Sequence, residues 1–242
     1  MKILNLGCGT KTSASPEVIN IDWSIYLRFK KNPLLRVIAP LFVKGERLER
    51  FHALPTNIMV HNLSRGIPFA SDSIDAIYHS HLLEHLDRNV AERFLIEVKR
   101  VLKPGGIHRI VVPDFEQGCR QYVEHIALCD VHSSEAVSHE HYIEGILEQS
   151  VRQESSGTRQ QSGFRRLLEN LILGDARRRG ETHQWMYDRI SLCQLLALLG
   201  YKHPRVCTYN VSLIPHWSEY RLEVDECGNE YKPASLYVEA EK

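Results

Sequence analysis

The sequence predicts an α/β protein built around one mostly parallel sheet, and three observations predict it. The chain opens with a short apolar run, Ile3 to Leu6, that breaks at once into glycines, which reads as a buried parallel strand. Further apolar runs then alternate with helical stretches, the pattern of parallel strands joined by right-handed crossovers. A length of 242 residues suits one well-buried domain with insertions better than two ordinary ones. A single domain over residues 1–242 is therefore expected.

In chain order, the first strand is Ile3 to Leu6 and the second Val18 to Asp22. The Thr/Ser/Pro-rich connection between them leaves Ser13 to Glu17 room for about one helical turn. Residues 24–56 then interrupt the rhythm. Arg28, Lys30, Lys31, Arg36, Lys44, Arg47 and Arg50 interleave with Tyr26, Leu27, Phe29, Leu34, Leu35, Val37, Ile38 and Leu41, a basic amphipathic helical insertion divided near Pro33 and Pro40. A solvated basic face covering the sheet is its plainer reading. A lid, a peripheral membrane contact or a grip on an anionic substrate are the functional ones.

A third strand spans Asn57 to His61 and a fourth Ser73 to His79. Asn89 with Glu92 three residues on is a capping pair for a helix, whose apolar stripe is Val90, Phe94, Leu95, Val98, Val101 and Leu102. Lys103-Pro104-Gly105-Gly106 stops that helix and turns it into a fifth strand, Ile107 to Val112. Residues 115–182 hold no convincing strand. Their apolar spacing (Tyr122, Ile126, Leu128; Ile143, Ile146, Leu147; Leu167, Leu168, Leu171, Ile172) around a polar stretch, Gln149 to Ser162, reads as a helical, lid-like insertion. Ser191 to Leu199 is an apolar helix ended by Gly200, and the last strands lie near Arg205 to Tyr209 and Ser235 to Ala240.

Composition narrows the function. Thirty basic and thirty acidic side chains cancel, so nothing draws the whole molecule to nucleic acid or an anionic membrane. Six cysteines without a C-x-x-C pair suit reduced thiols in a cytoplasm. The longest apolar run, Leu34 to Val43, carries Arg36 and is too short to span a bilayer. The opening strand is expected to leave no room for a signal peptide.

Gly7 and Gly9 let a ligand approach the backbone where a Cβ would clash. A dinucleotide fingerprint would want Gly or Ala where Thr12 stands after Lys11, which weakens a nicotinamide or flavin reading. Asp22, closing the neighbouring strand, can accept hydrogen bonds from both hydroxyls of a ribose, so the ligand looks like a nucleoside. Downstream come His61-Asn62-Leu63, Pro68-Phe69-x-x-Asp72-Ser73-x-Asp75-Ala76-Ile77-Tyr78, Leu83-Glu84-His85-Leu86 and Val101-Leu102-Lys103-Pro104-Gly105-Gly106. That series, in that order, resembles the class I S-adenosylmethionine-dependent methyltransferases, especially small ones of the "methyltransferase type 11" kind. The resemblance covers residues 1 to about 115 and returns at His183 to Tyr201.

The resemblance implies a doubly wound, Rossmann-like seven-stranded sheet in the order 3-2-1-4-5-7-6, with S-adenosylmethionine as cofactor. It places Asn5, Gly7, Cys8, Gly9 and Asp22 at the cofactor, Asn62 and Leu63 at the adenine, and Ser80 in the pocket. The chain departs from it at Asn5, where an acidic residue is usual, and at Lys11, where a third glycine is common. His183-Gln184-Trp185-Met186-Tyr187-Asp188 resembles a His-x-Trp-x-Tyr-Asp segment of relatives, in which Asp188 starts the last framework helix. The fold does not choose the acceptor; the basic patches and the helical insertion favour a small-molecule or glycan-type one, methylated at oxygen, with His81, Asp114 and His183 as candidate proton acceptors. For Asp114, capping the next helix is an equal alternative.

Three other groups invite different chemistry. His81-x-x-Glu84-His85 matches an inverted zinc-hydrolase signature, whose histidines need one helix face; the expectation is nevertheless no metal. His125, His132, His139 and His141 with Cys129 are read as chance clustering among thirteen histidines. Arg165, Arg166, Arg177, Arg178 and Arg179 suit phosphate or carboxylate, or simply a solvated helix face. A scaffold that binds the cofactor without catalysis is the remaining alternative.

Overall fold

A computed structural model describes residues 1–31, 55–149 and 183–242. Its strands are β1 (Ile3–Leu6), β2 (Val18–Asp22), β3 (Ile58–Val60), β4 (Ile74–Ser80), β5 (Leu102–Pro113), β6 (Lys202–Cys207) and β7 (Ser235–Glu241). Between them lie helices α1 (Ile25–Lys31), α2 (Arg88–Val101), α3 (Phe115–Val131), α4 (Glu140–Gln149) and α5 (Arg189–Leu198). The seven strands form one sheet in the order β3-β2-β1-β4-β5-β7-β6. β1 to β5 run parallel, and β7 pairs antiparallel with β5 and β6. This is the order the resemblance implied.

Side chains alternate between the two faces with a period of two. Leu4, Leu6, Ile77, Ile110, Val112, Leu236 and Val238 point to a face covered by α2 and α5, where they meet Leu95, Val98 and Leu192. Ile3, Tyr78, Val111 and Tyr237 point to the other face, closed by Ile214, Trp217, Tyr220 and Leu222. The covering segment, residues 208–234, has a short 3₁₀ turn, Trp217–Tyr220, in place of an α-helix.

What fastens that segment is Arg109, fully buried on β5. Its guanidinium donates to Glu223 at 2.5 Å and to Glu239 at 2.8 Å, and to the carbonyls of Thr208 at 2.8 Å and Val211 at 2.9 Å. The Trp217 indole donates to Glu223 at 2.8 Å and lies under the guanidinium. A buried arginine is tolerable only with its donors satisfied by carboxylates and carbonyls in this way.

Four expectations are corrected. The β1–β2 connection contains no helical turn; its backbone is held by side-chain amides, with Asn20 and Asn57 donating to the Ser13 carbonyl at 3.0 and 2.9 Å. Helix α2 begins after Asp87 rather than at an Asn89/Glu92 capping pair, so Ala91 takes the buried place and Val90 is exposed. The Lys103–Gly106 segment does not separate helix from strand. Leu102 already pairs with Ile74, and the four residues bulge out before Ile107 pairs with Ala76. β3 is shorter than expected at both ends.

Of the 115–182 insertion, residues 115–149 are helical as expected; its remainder, including Leu167 to Ile172 and the arginines from 165 to 179, lies outside the described residues. Of the 24–56 insertion only α1 and the residues at its two ends are described. Among the described residues no helix is long and apolar enough to cross a membrane.

Candidate functional site

The carboxyl ends of β1 and β4 meet at one cleft, the place where open parallel sheets leave room for a ligand. Asp22, at the end of β2, is bonded to the Gly9 loop but is not among the residues lining that cleft. β1 ends at Gly7 (φ +62°) and the loop passes through Gly9 (φ +54°), left-handed conformations that cost a residue with a Cβ about 1–2 kcal/mol. The loop is drawn against β2. Cys8 N–H donates to the Ile21 carbonyl at 3.2 Å and Gly9 N–H to Asp22 Oδ2 at 2.8 Å. Burial raises the Asp22 carboxyl above its usual range, opposed by the hydrogen bonds from Gly9 and Trp23. It also pushes the Cys8 thiol up to about 12, with Asp22 adding to the effect, so Cys8 sits beside the carboxylate as a neutral thiol.

The cleft, about 250 Å³, is lined by Asn5, Gly7, Cys8, Gly9, Ser80 and His81 together with Lys11, Tyr78, Leu222, Tyr231 and Lys232. Asn5 is buried and its amide donates to the Lys11 carbonyl and to Asn20 Oδ1, both at 3.0 Å. An amide in place of the usual acid therefore ties the glycine loop to β2. Lys11, in place of a third glycine, reaches the other way: Nζ donates to the Val224 carbonyl at 2.5 Å and lies over the Tyr231 ring. Both departures from the resemblance thus have a structural use.

The far wall was not foreseen. Leu222, Tyr231 and Lys232 come from the 208–234 segment, whose Asp225 to Asn229 turn is legible from composition. Its landing on the cleft depends on Arg109 and Lys11, contacts too distant in sequence for any local pattern to signal. Burial lowers the Lys232 pKa, countered by Glu84.

His81 turns the chain out of β4 with φ +50°, strained for a non-glycine residue. Its Nδ1 lies 3.3 Å from Glu84 Oε1 and its Nε2 3.0 Å from Ser235 Oγ. Glu84 is buried, and His85 Nε2 lies 3.8 Å from the same oxygen. Burial opposes ionisation of Glu84, but His81 and His85 outweigh it and hold the carboxyl below its usual value. His81 and His85 do not share a helix face, because only Leu83–His85 is helical, as a single 3₁₀ turn. The spacing required by the His81-x-x-Glu84-His85 zinc reading is therefore not realised. Glu84, His85 and His183 do converge, with one ligand atom of each within 4.8 Å of the others.

The remaining candidates are placed as follows. Asp114 caps α3, accepting from Glu116 N–H at 3.0 Å and Gln117 N–H at 3.3 Å. His183 packs against His85 with ring centroids 4.9 Å apart. Asp188 opens α5 in a capping box with Ser191, as expected. Asn62 follows β3 and accepts from Ser64 N–H at 3.0 Å, while Leu63 packs against the helix-covered core. Neither is among the residues lining the cleft.

An adenosyl group fits this arrangement. Gly7 and Gly9 hold conformations other residues resist, the Asp22 carboxylate is ordered by the same loop, and beyond Gly9 no atom lies within 4 Å of where a Cβ would stand.

A family model described as a methyltransferase domain matches residues 39–110. No curated protein matches the chain significantly. Among solved structures, the chain is similar to a SAM-dependent methyltransferase from Archaeoglobus fulgidus at 12% identity and TM-score 0.42, covering 100% of this chain and 86% of that one. One from Aquifex aeolicus has 15% identity and TM-score 0.41 over 100% and 81%. One from Mesorhizobium loti has 15% identity and TM-score 0.40 over 100% and 90%. The family match and the strand order bear out the resemblance to class I S-adenosylmethionine-dependent methyltransferases, and with it the expectation of a methyltransferase that takes S-adenosylmethionine. The match begins after Asp22, so the glycine cradle rests on its own geometry.

Proposed function

We propose that this methyltransferase-domain chain, working as one domain over residues 1–242 in the cytoplasm, methylates an oxygen of a small-molecule or glycan-type acceptor. The observation that carries the reading is the Gly9–Asp22 hydrogen bond, which joins a ligand-ready backbone to a ribose-ready carboxylate. S-adenosylmethionine supplies a sulfonium-bound methyl and a neutral leaving group.

The protein's main task is then to align donor and acceptor with water excluded, worth on the order of 7–11 kcal/mol. Gly7 and Gly9 admit the cofactor to the backbone. Asp22, whose oxygens keep lone pairs beyond those used by Gly9 and Trp23, accepts from the ribose hydroxyls. Cys8 and Ser80 border the cofactor and Asn5 holds the loop in shape; the adenine contact at Asn62 and Leu63 rests on the resemblance alone, since neither lines the cleft. His81 is the first-ranked proton acceptor: its Nδ1 lies beside Glu84, and its Nε2, which donates to Ser235 Oγ because the Ser235 proton goes to the Lys232 carbonyl at 2.8 Å, must give up that proton before it can accept one from the substrate. Such a base adds roughly 10²- to 10⁴-fold. Asp114 and His183 rank behind it, the first engaged in capping and the second packed on His85. Lys232 in the cleft wall supports an acceptor bearing a carboxylate or phosphate, and the balanced charge disfavours nucleic acid.

The test is a panel of hydroxylated anionic acceptors, with S-adenosylhomocysteine read by mass spectrometry. His81→Ala should lower kcat by about 10²- to 10⁴-fold while leaving cofactor affinity by calorimetry within about twofold. An acceptor turned over equally well by His81→Ala would remove His81 from the mechanism.

A further inference from the structure

The histidines and cysteine of the 115–149 helical segment, read from the sequence as chance clustering, are drawn together in part. His125 and Cys129 stand one turn apart on α3, and His139 precedes α4. His141 instead pairs with Glu144. His125 Nδ1 lies 2.9 Å from His139 Nδ1 and 3.5 Å from Cys129 Sγ, and the three atoms lie within 4.8 Å of one another. Around a tetrahedral zinc, bond lengths of about 2.0–2.1 Å to nitrogen and about 2.3 Å to sulfur put two nitrogens roughly 3.3 Å apart and nitrogen and sulfur roughly 3.6 Å apart. The two His125 separations are already within a few tenths of an ångström of that shape, and His139 Nδ1 lies within 4.8 Å of Cys129 Sγ.

Proton placement points the same way. Ser138 Oγ donates its one proton to the Glu135 carbonyl at 2.9 Å, so it accepts from His125 Nε2 at 3.3 Å. That fixes the His125 tautomer and leaves its Nδ1 as a bare lone pair facing the group. His139 and Cys129 then compete as donors for this single lone pair, an arrangement a cation resolves. The rings are also held: His125, 5% exposed, stacks on Tyr142 with centroids 4.1 Å apart, and His139 lies 5.3 Å from the Tyr122 ring.

We propose that His125 Nδ1, His139 Nδ1 and Cys129 Sγ form a zinc site, with water in the fourth position, that ties α3 to the start of α4. On binding, the Cys129 thiol releases its proton to solvent and the thiolate bonds the metal. At about 1.5 Å per residue, His125 lies some 16 Å along α3 from Asp114. The ion is therefore assigned the role of joining the two helices and no step of methyl transfer.

The chelator-treated full chain, titrated with Co²⁺ alone, should take up one ion per chain with a thiolate-to-cobalt charge-transfer band and tetrahedral d–d absorption, both displaced by Zn²⁺. Cys129→Ser should remove the charge-transfer band, and Ser138→Ala, by freeing the His125 ring, should weaken binding about 10- to 100-fold. X-ray absorption of the zinc-loaded wild type, which needs no variant, should show one sulfur at about 2.3 Å and two imidazole nitrogens at about 2.0–2.1 Å. A wild type without the charge-transfer band overturns the proposal, as does a band that survives Cys129→Ser. So does a thiolate-free cobalt spectrum abolished by His183→Ala, which would place the ion at Glu84, His85 and His183.

Discussion

On one face of the sheet, α2 and α5 press Leu95, Val98 and Leu192 onto apolar strand residues; on the other, a segment with no α-helix is pinned by Arg109 to Glu223 and Glu239. The first face is held by area removed from water, which any apolar helix of the right period can supply. The second is held by a polar knot that is strong only when complete. That second face also delivers Leu222, Tyr231 and Lys232 to the cleft. The wall of the site therefore depends on the less forgiving of the two devices.

The largest test of this contrast is Arg109→Met. It leaves Glu223 buried without its cation and Glu239 with Arg205 alone, 3.0 Å away, and should cost about 3–5 kcal/mol in urea unfolding. Unchanged stability would mean that Trp217, Tyr220 and Leu222 hold the segment by apolar contact alone.

Acid should instead attack the helix-covered face. Burial lowers the His79 pKa to about 4, against the Glu84 carboxylate, and holds His108 well below the ordinary value, with His79 adding to the effect. Both folded values lie under the unfolded one, so below about pH 6.5 the unfolded state binds more protons and stability falls with pH. His79 alone should remove about 3 kcal/mol between pH 6.5 and 4. Stability curves of wild type and His79→Phe that remain parallel over that range would contradict the assignment.

A smaller effect separates the two glycines of the cradle. At Gly9 an added Cβ meets nothing within 4 Å, so Gly9→Ala should cost only the backbone strain of about 1–2 kcal/mol. Gly7→Ala adds a contact 3.1 Å from Leu82 and should cost more. Equal losses would mean that Leu82 yields freely.

The first face was legible in the sequence. Its strands carry continuous apolar runs, and the α2 stripe at Phe94, Leu95, Val98 and Val101 is buried as its spacing indicates. The glycine bend and Asp22 were equally legible, since both are local features at strand ends. The second face was not. Arg109 alternates with Ile110 in an ordinary strand pattern, and nothing near it in sequence announces partners at positions 223 and 239. For the same reason Lys232 was missed and Asp114 stayed ambiguous: a carboxylate after a strand looks alike whether it caps a helix or faces a ligand. The His125, Cys129 and His139 group was seen but discounted, because spacing alone does not show that a turn returns His139 to α3.

The central claim is that the bend at Gly9 and the carboxylate of Asp22 together receive the adenosyl group. Isothermal titration of S-adenosylmethionine into the wild type and into Asp22→Ala, with circular dichroism confirming that the variant is folded, tests it most directly. The account predicts one site per chain in the wild type and no detectable binding heat in the variant; equal affinity in the two would contradict it.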